Sequence, residues 1–98
     1  MIYLLMYDIS SDAIRSKIAN RLVAEGYERI QLSVFTGMRD PKKVKGLWQD
    51  LERILKKESS AKFFVLKMTK NNFRNMETIG AFDLDLDYLA GIQNSLFI

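Results

Sequence analysis

Residues 2–8, Ile-Tyr-Leu-Leu-Met-Tyr-Asp, decide the fold: six apolar side chains follow one another and Asp8 ends the run. A short unbroken apolar run is typical of a central strand that is covered on both faces. Asp8 then lies near the C-terminal end of the most buried strand, where a carboxylate must be paired, hydrogen-bonded or bound to a metal. Two interpretations follow: Asp8 caps the next turn and helix, or it is the chemical centre of the protein.

The composition restricts the chemistry of this chain. Its 98 residues predict one domain with a single core, and 48% of them are hydrophobic. The absence of cysteine and histidine excludes disulfides, thiolate metal sites, a cysteine nucleophile and the usual general base near neutral pH. Catalysis must therefore use carboxylates, hydroxyls, lysine, arginine or a hard, oxygen-bound metal. No run is long enough to span a bilayer and no cleavable signal is recognisable, so we expect a cytoplasmic protein without a membrane partner.

The formal net charge of +3 is unevenly distributed. Residues 1–30 carry four basic and four acidic groups, and residues 31–58 carry seven and four. Residues 59–74 carry four basic groups and no acid, whereas residues 75–98 carry four acids and no base. A basic body followed by an acidic tail indicates binding to nucleic acid through the body.

The first helix and the next strand follow from caps and alternation. Ser11 or Asp12 caps a helix that runs to about Glu25 and ends at Gly26. Residues 28–37 alternate between apolar and polar side chains, which predicts one long strand or two strands joined at a kink. Ile30, Leu32 and Val34 form the apolar side of this alternation. Phe35 falls on the polar side, which predicts an aromatic side chain on a solvent-exposed face or in a dimer contact.

The second half of the body repeats this pattern. Asp40 and Pro41 predict the start of a helix that runs to about Lys57. Its core stripe consists of Val44, Leu47, Trp48, Leu51, Ile54 and Leu55. Residues 62–68 predict another buried strand, residues 71–72 a turn, and residues 76–79 a short strand.

This order of elements predicts an α+β, ferredoxin-like βαββαβ sandwich over residues 1–80, with an antiparallel sheet and two helices on one face. The other face of the sheet would be bare, and monomers seldom expose so large an apolar surface. We therefore expect a sheet-to-sheet homodimer. Residues 81–98 form a C-terminal tail that docks as a strand, or as a short helix capped by Asp85 or Asp87.

Four features of the sequence are similar to a known family. They are Tyr7-Asp8-Ile9-Ser10, the basic residues Arg15 and Lys17, Glu28-Arg29-Ile30-Gln31, and Ser33-Val34-Phe35-Thr36-Gly37. In this order and spacing, over residues 1–80, the chain resembles the small dimeric CRISPR-associated adaptation proteins, a family of endoribonucleases that partners the spacer-inserting integrase. Lys17 stands at a position where the family often has an arginine. Lysine keeps the positive charge but lacks the planar guanidinium that can bind an anion through two hydrogen bonds.

The resemblance implies a ferredoxin-like homodimer whose two Asp8 carboxylates lie near the two-fold axis and together hold one Mg²⁺, or Mn²⁺. It also implies roles for the surrounding side chains. Tyr7 and Ser33 join Asp8 in the catalytic site, and Arg15, Lys17, Arg29 and Phe35 contact the nucleic acid.

Two functions are compatible with this resemblance. The first is a metal-dependent phosphodiesterase that cuts single-stranded RNA or double-stranded DNA. The second is a non-catalytic scaffold that holds duplex DNA for the integrase subunit during spacer acquisition. A third alternative is a virulence-associated, toxin-like ribonuclease, which resembles the same fold and also begins with an aspartate-ending strand. Residues 31–37 favour the adaptation protein, and a neighbouring integrase gene with a repeat array would decide.

Overall fold

The computed structural model describes residues 1–80 and 84–91. Its elements are β1 (Ile2–Asp8), α1 (Asp12–Ala24), β2 (Glu28–Gln31), β3 (Val34–Gly37), a 3₁₀ turn (Pro41–Lys43), α2 (Leu47–Leu55), β4 (Lys62–Met68), α3 (Lys70–Arg74) and α4 (Leu86–Leu89). The strands pair antiparallel in the order β2-β3-β1-β4. Up to β4 the chain therefore follows the βαββαβ order, and the predicted ferredoxin-like sandwich is confirmed. No helix in the described ranges is long and apolar enough to cross a membrane.

β1 is buried on both faces, as its unbroken apolar run predicts. Leu5 and Tyr7 belong to the larger core, which α1 and α2 form with one face of the sheet and which includes Phe35. Ile2 and Leu4 belong to a smaller cluster. Since side chains alternate along a strand, this smaller cluster lies on the opposite face of the sheet.

That opposite face is not bare, contrary to the prediction. Phe73 of α3 and Ala90, which follows α4, are fully buried in the smaller cluster. Phe64 and Leu66 of β4 remain 51% and 49% exposed. The C-terminal segment thus covers one end of the face, and an apolar patch around β4 stays open.

The β2–β3 segment is a hairpin with a turn at Leu32 and Ser33. Arg29 pairs with Phe35 but Gln31 pairs with Val34, so the register shifts by one residue inside β2. This bulge and the turn reset the alternation of buried and exposed side chains. Leu32, predicted to be buried, is 79% exposed, and Phe35, predicted on the wet face, is fully buried. The prediction of Phe35 as an exposed aromatic or dimer contact is wrong.

The second helix begins later than predicted. Asp40 caps only the 3₁₀ turn, where its carboxylate accepts a hydrogen bond from the Lys42 backbone N–H at 3.0 Å. Gly46 then adopts a left-handed conformation with φ of 77°, which no helix can continue through, and α2 starts at Leu47. Its buried side chains are nevertheless those of the predicted stripe.

After β4 the chain is more helical than predicted. Residues 71–72 lie in α3 rather than in a turn, because Thr69 caps this helix by accepting from the Asn72 N–H at 3.0 Å. Residues 76–79 form no strand. Residues 86–89 are helical, with Asp85 as the cap, so the helical alternative is confirmed there and the strand alternative is wrong. The other predictions for the tail, which concern residues 81–83 and 92–98, fall outside the described residues.

Glu58 anchors the connection between β1 and α1. Its carboxylate accepts hydrogen bonds from the backbone N–H groups of Ser10 at 3.1 Å and Ser11 at 2.7 Å. These two bonds hold the pKa of Glu58 below its ordinary value of 4.5, because they favour the ionised acceptor. The segment after α2 therefore fixes the loop that follows Asp8.

Glu58→Gln should lower the melting temperature at pH 7, because a charged acceptor for two backbone donors becomes a neutral amide. The folded pKa lies below the ordinary value of 4.5, so the contribution of the carboxylate is complete above that value and is lost as the pH falls through the folded pKa. Thermal melts at pH 7 and at an acidic pH should thus show a difference between variant and parent that narrows at the acidic pH. Glu52→Gln, on the exposed side of α2, is the control, and an equal difference at both pH values would contradict the assignment.

Truncation after Gly80 removes α4 and Ala90 from the smaller cluster. Because Leu86 and Leu89 are half-buried there, we expect the free energy of unfolding to fall by about 2–3 kcal/mol and the truncated chain to aggregate. Size-exclusion chromatography with light scattering and a thermal melt measure both effects. A chain truncated after Gly91, which keeps α4, is the control. If the shorter chain keeps the size and melting temperature of the full one, α4 is only an accessory.

Candidate active site

A cleft of about 730 Å³ opens at the end of β1, between α1 and the β2–β3 hairpin. Five of the seven predicted site residues line it: Tyr7, Asp8, Arg15, Arg29 and Ser33. They come from the end of β1, the first half of α1, β2 and the hairpin turn. The fold thus brings together side chains that the sequence places in separate segments.

Asp8 is exposed, not buried. Ser11, not Asp8, caps α1, since its hydroxyl accepts from the Ile14 N–H at 3.2 Å. Within the described ranges the Asp8 carboxylate has neither a hydrogen-bond donor nor a salt-bridge partner. The capping interpretation is therefore wrong, and Asp8 is available to an external cation or substrate.

Tyr7 and Arg29 both bind the backbone carbonyl of Leu32 in the hairpin turn. The Tyr7 hydroxyl donates to this oxygen at 3.1 Å, and Arg29 donates to it through Nε at 3.1 Å and Nη2 at 2.7 Å. The Tyr7 backbone N–H also donates to the Ser33 carbonyl at 3.1 Å. Tyr7, only 6% exposed, therefore holds the hairpin against β1 and presents little surface to the cleft.

Phe35 supports the cleft from beneath. Its ring stacks on Tyr7 with 6.2 Å between the centroids, and the Arg29 guanidinium lies 5.2 Å from its centroid. Phe35 is fully buried and does not line the cleft. The predicted contact of Phe35 with nucleic acid is replaced by a supporting contact that orients the Arg29 side chain.

The two residues of α1 predicted to bind nucleic acid, Arg15 and Lys17, are separated by the structure. Arg15 donates through Nη1 to the carbonyls of Ile9 at 3.0 Å and Ser10 at 3.3 Å, and it forms an ion pair with Asp12. Lys17 does not line the cleft. Residues 15 and 17 are about 200° apart around a helix, so they face different surroundings.

The metal-ligating groups around Asp8 fit a hard cation that binds together with a substrate. The cleft contains two carboxylates, Asp8 and Asp12, and two guanidinium groups, Arg15 and Arg29, so its formal charge is balanced. Within the described part of the chain, no three acidic side chains approach closely enough to hold a metal by themselves. Mg²⁺ is commonly held by one or two carboxylates, waters and substrate phosphates. A single exposed carboxylate suits that mode of binding and not a cage built by one protomer.

The sequence analysis missed polar residues that line the cleft and one residue that supports it from outside. Ser16 and Asn20 line the cleft beside Asp12. Their four-residue spacing along α1 is a signal from which this polar face could have been predicted. Glu58, which fixes the loop after Asp8, carries no such signal, because its partners lie 47 and 48 residues away in the sequence.

Two solved structures share this fold. The hypothetical protein TT1823 of Thermus thermophilus is 28% identical, with a TM-score of 0.63, over 85% of this chain and 94% of its own. Streptococcus pyogenes Cas2 superposes with a TM-score of 0.66 at 24% identity, over 82% of this chain and 100% of its own. The second likeness, at that identity, shows the fold alone.

Sequence comparison is more specific. The CRISPR-associated endoribonuclease Cas2 2 of Pyrobaculum aerophilum is 46% identical over 56 residues, which are 57% of this chain and 62% of that protein. The alignment thus spans less than two thirds of the relative's length. The family model described as CRISPR associated protein Cas2 matches residues 1–76, which include every residue of the cleft. This chain therefore belongs to the Cas2 family of CRISPR-associated proteins.

Proposed function

We propose that this protein acts in CRISPR adaptation as a cytoplasmic, nucleic-acid-binding homodimer, and that the cleft at Asp8 is a metal-dependent phosphodiesterase site. The observation that carries this proposal is an exposed carboxylate without a protein partner in the described chain, at the edge of a cleft with two guanidinium groups. The name of the Pyrobaculum relative, an endoribonuclease, makes single-stranded RNA the first substrate to test, with double-stranded DNA as the second.

Asp8 would hold the cation, one Mg²⁺ or Mn²⁺ per dimer. When bound, this ion supplies positive charge to a phosphodiester and an acidified water. Arg29 is already oriented by the Leu32 carbonyl and the Phe35 ring, so it can bind a phosphate oxygen with little reorganisation. Arg15 and Ser33 border the same space, while Tyr7 keeps the hairpin in place.

The apolar residues that remain exposed on β4 support dimerisation through the face of the sheet opposite α1 and α2. Asp8 pairs in register with Lys62, and Met6 pairs with Phe64. By strand alternation these side chains share a face with Leu66. A second copy packed on the exposed Phe64 and Leu66 would therefore also approach Asp8. Such a dimer supplies the second carboxylate that a single protomer lacks.

A scaffold without catalysis is the second candidate. The cleft itself is balanced in charge, whereas residues 31–74 carry eleven basic and four acidic groups. Nucleic acid is thus attracted mainly by surfaces outside the cleft, as a scaffold that presents duplex DNA to an integrase subunit requires. The family match over residues 1–76 argues against the toxin-like ribonuclease.

Asp8→Asn should abolish Mg²⁺-dependent cleavage of RNA and DNA, because the neutral amide lacks the negative charge with which the carboxylate holds a hard cation. The melting temperature without metal should stay equal or rise, since two facing carboxylates no longer repel each other. Cleavage of labelled single-stranded RNA and duplex DNA, with Mg²⁺ and with EDTA, is the measurement, and Glu52→Gln is the control. Undiminished cleavage would refute the catalytic assignment, and unchanged spacer acquisition by Asp8→Asn would favour the scaffold.

Phe64→Lys combined with Leu66→Lys should give a monomer. The two substitutions place charges on the apolar patch, where each would have to be desolvated in a dimer. Light scattering should report a mass near twice 11.4 kDa for the parent and near 11.4 kDa for the variant. Val23→Lys is a matched control, because Val23 is 55% exposed but lies on α1. A variant that remains a dimer would place the interface elsewhere.

A further inference from the structure

The α1 wall of the cleft continues past its charged residues as an uncharged polar surface. Ser16 and Asn20 line the cleft there, together with the small side chain of Ala19. The helical rise places Asn20 about 12 Å along the axis from Asp12. Both polar side chains belong to exposed residues, and within the described chain neither makes a hydrogen bond. The fold therefore leaves a hydroxyl and an amide available to a ligand.

The hairpin wall of the cleft carries an exposed apolar side chain. Leu32 lines the cleft and is 79% exposed. Its backbone is nevertheless fixed, because its carbonyl accepts hydrogen bonds from the Tyr7 hydroxyl at 3.1 Å and from Arg29 Nη2 at 2.7 Å. A large apolar side chain that is held in water gains free energy when a ligand covers it. Leu32 is thus a preformed apolar contact beside the guanidinium that is proposed to bind a phosphate.

A nucleobase is complementary to these two walls. The formal charge of the cleft is balanced, so a ligand that enters it must gain free energy from contacts other than long-range attraction. A base is neutral, and it offers an apolar face to Leu32 and an edge of donors and acceptors to the hydroxyl and the amide. The bases of a duplex are stacked on both faces, so only an unpaired base can contact Leu32 in this way.

We propose that Leu32, Ser16 and Asn20 form a subsite for one unpaired base of a single-stranded nucleic acid. Leu32 packs on the face of the base, and Ser16 and Asn20 bind its edge. This inference rests on the nucleic-acid binding in the proposed function and deepens it, because it assigns the cleft to single strands and gives it a means to distinguish bases. Arg29 then binds the phosphate beside that base.

The first test compares Leu32→Ser with the parent on two probes. One probe is a short single-stranded DNA, and the other is a strand of the same length built from tetrahydrofuran abasic units, which keeps the phosphates but has no bases. Fluorescence anisotropy in EDTA, which prevents metal-dependent cleavage, gives Kd for each probe. The parent should bind the abasic strand about tenfold more weakly, which corresponds to about 1.4 kcal/mol, whereas Leu32→Ser should bind both strands alike. The ratio in the parent should not change with NaCl concentration, because a neutral base releases no counterions.

Val23→Ser is the matched control, because Val23 is a 55% exposed apolar residue that does not line the cleft, and this variant should keep the ratio of the parent. Light scattering and a thermal melt should give Leu32→Ser the mass and melting temperature of the parent, since the side chain is exposed. An unchanged ratio in Leu32→Ser would overturn the inference. A change of mass in Leu32→Ser would overturn it too, because Leu32 would then be a contact between subunits.

The same two probes separate this inference from the proposed function. If the parent binds both strands equally, the base subsite is refuted while the proposed nucleic-acid binding stands. If the parent binds neither strand, both fail together.

The second test addresses the recognition of the base by Asn20. Short single-stranded RNA probes made of adenine, cytosine or uracil nucleotides alone should bind the parent with different Kd values, because the amide of Asn20 presents both a donor and an acceptor to the base edge. Asn20→Ala should reduce these differences and leave the melting temperature unchanged. Asn71→Ala, which alters an exposed asparagine of α3 outside the cleft, is the control. Equal Kd values for the three probes in the parent, or unchanged differences in Asn20→Ala, would refute the role of Asn20.

Discussion

The burial of β1 on both faces is the constraint on which the rest of the structure depends. β1 pairs with β3 on one side and with β4 on the other, while its side chains fill both apolar clusters of the sheet. A strand so enclosed has no freedom to shift its register, because a shift of one residue would exchange its two faces. The position of Asp8, at the end of this strand, is therefore determined by the core.

The Leu32 carbonyl connects that core to the cleft. It lies in an exposed turn, yet it accepts hydrogen bonds from Tyr7, which the core holds, and from Arg29, which stacks on buried Phe35. On the other side, the Glu58 carboxylate accepts hydrogen bonds from the backbone N–H groups of Ser10 and Ser11, which fixes the loop before α1. The two loops that border the cleft are thus each tied to a distant segment by hydrogen bonds, and the cleft is preorganised.

The sequence predicts the elements that obey a single period or carry a clear cap. β1, α1 and β4 were found at the expected residues, but the prediction that β4 is buried is wrong, because it is an edge strand with partly exposed side chains. The core stripe of α2 was correct although its start was not. The errors arise where one residue interrupts a period: Gly46 delays α2, and the bulge and turn in the hairpin move Phe35 from the wet face to the core. Contacts between segments far apart, such as those of Glu58, leave no local pattern and could not be predicted from the sequence.

Charge is organised differently in the cleft and on the rest of the surface. Acids and arginines balance in the cleft, so an anionic strand gains little from entering it without an additional cation. The excess of positive charge lies in residues 31–74. Long-range attraction therefore acts outside the cleft, whereas the chemistry of Asp8 depends on what is bound beside it. The proposed scaffold and the proposed phosphodiesterase would therefore use different parts of the surface, and only the phosphodiesterase would require a cation at Asp8.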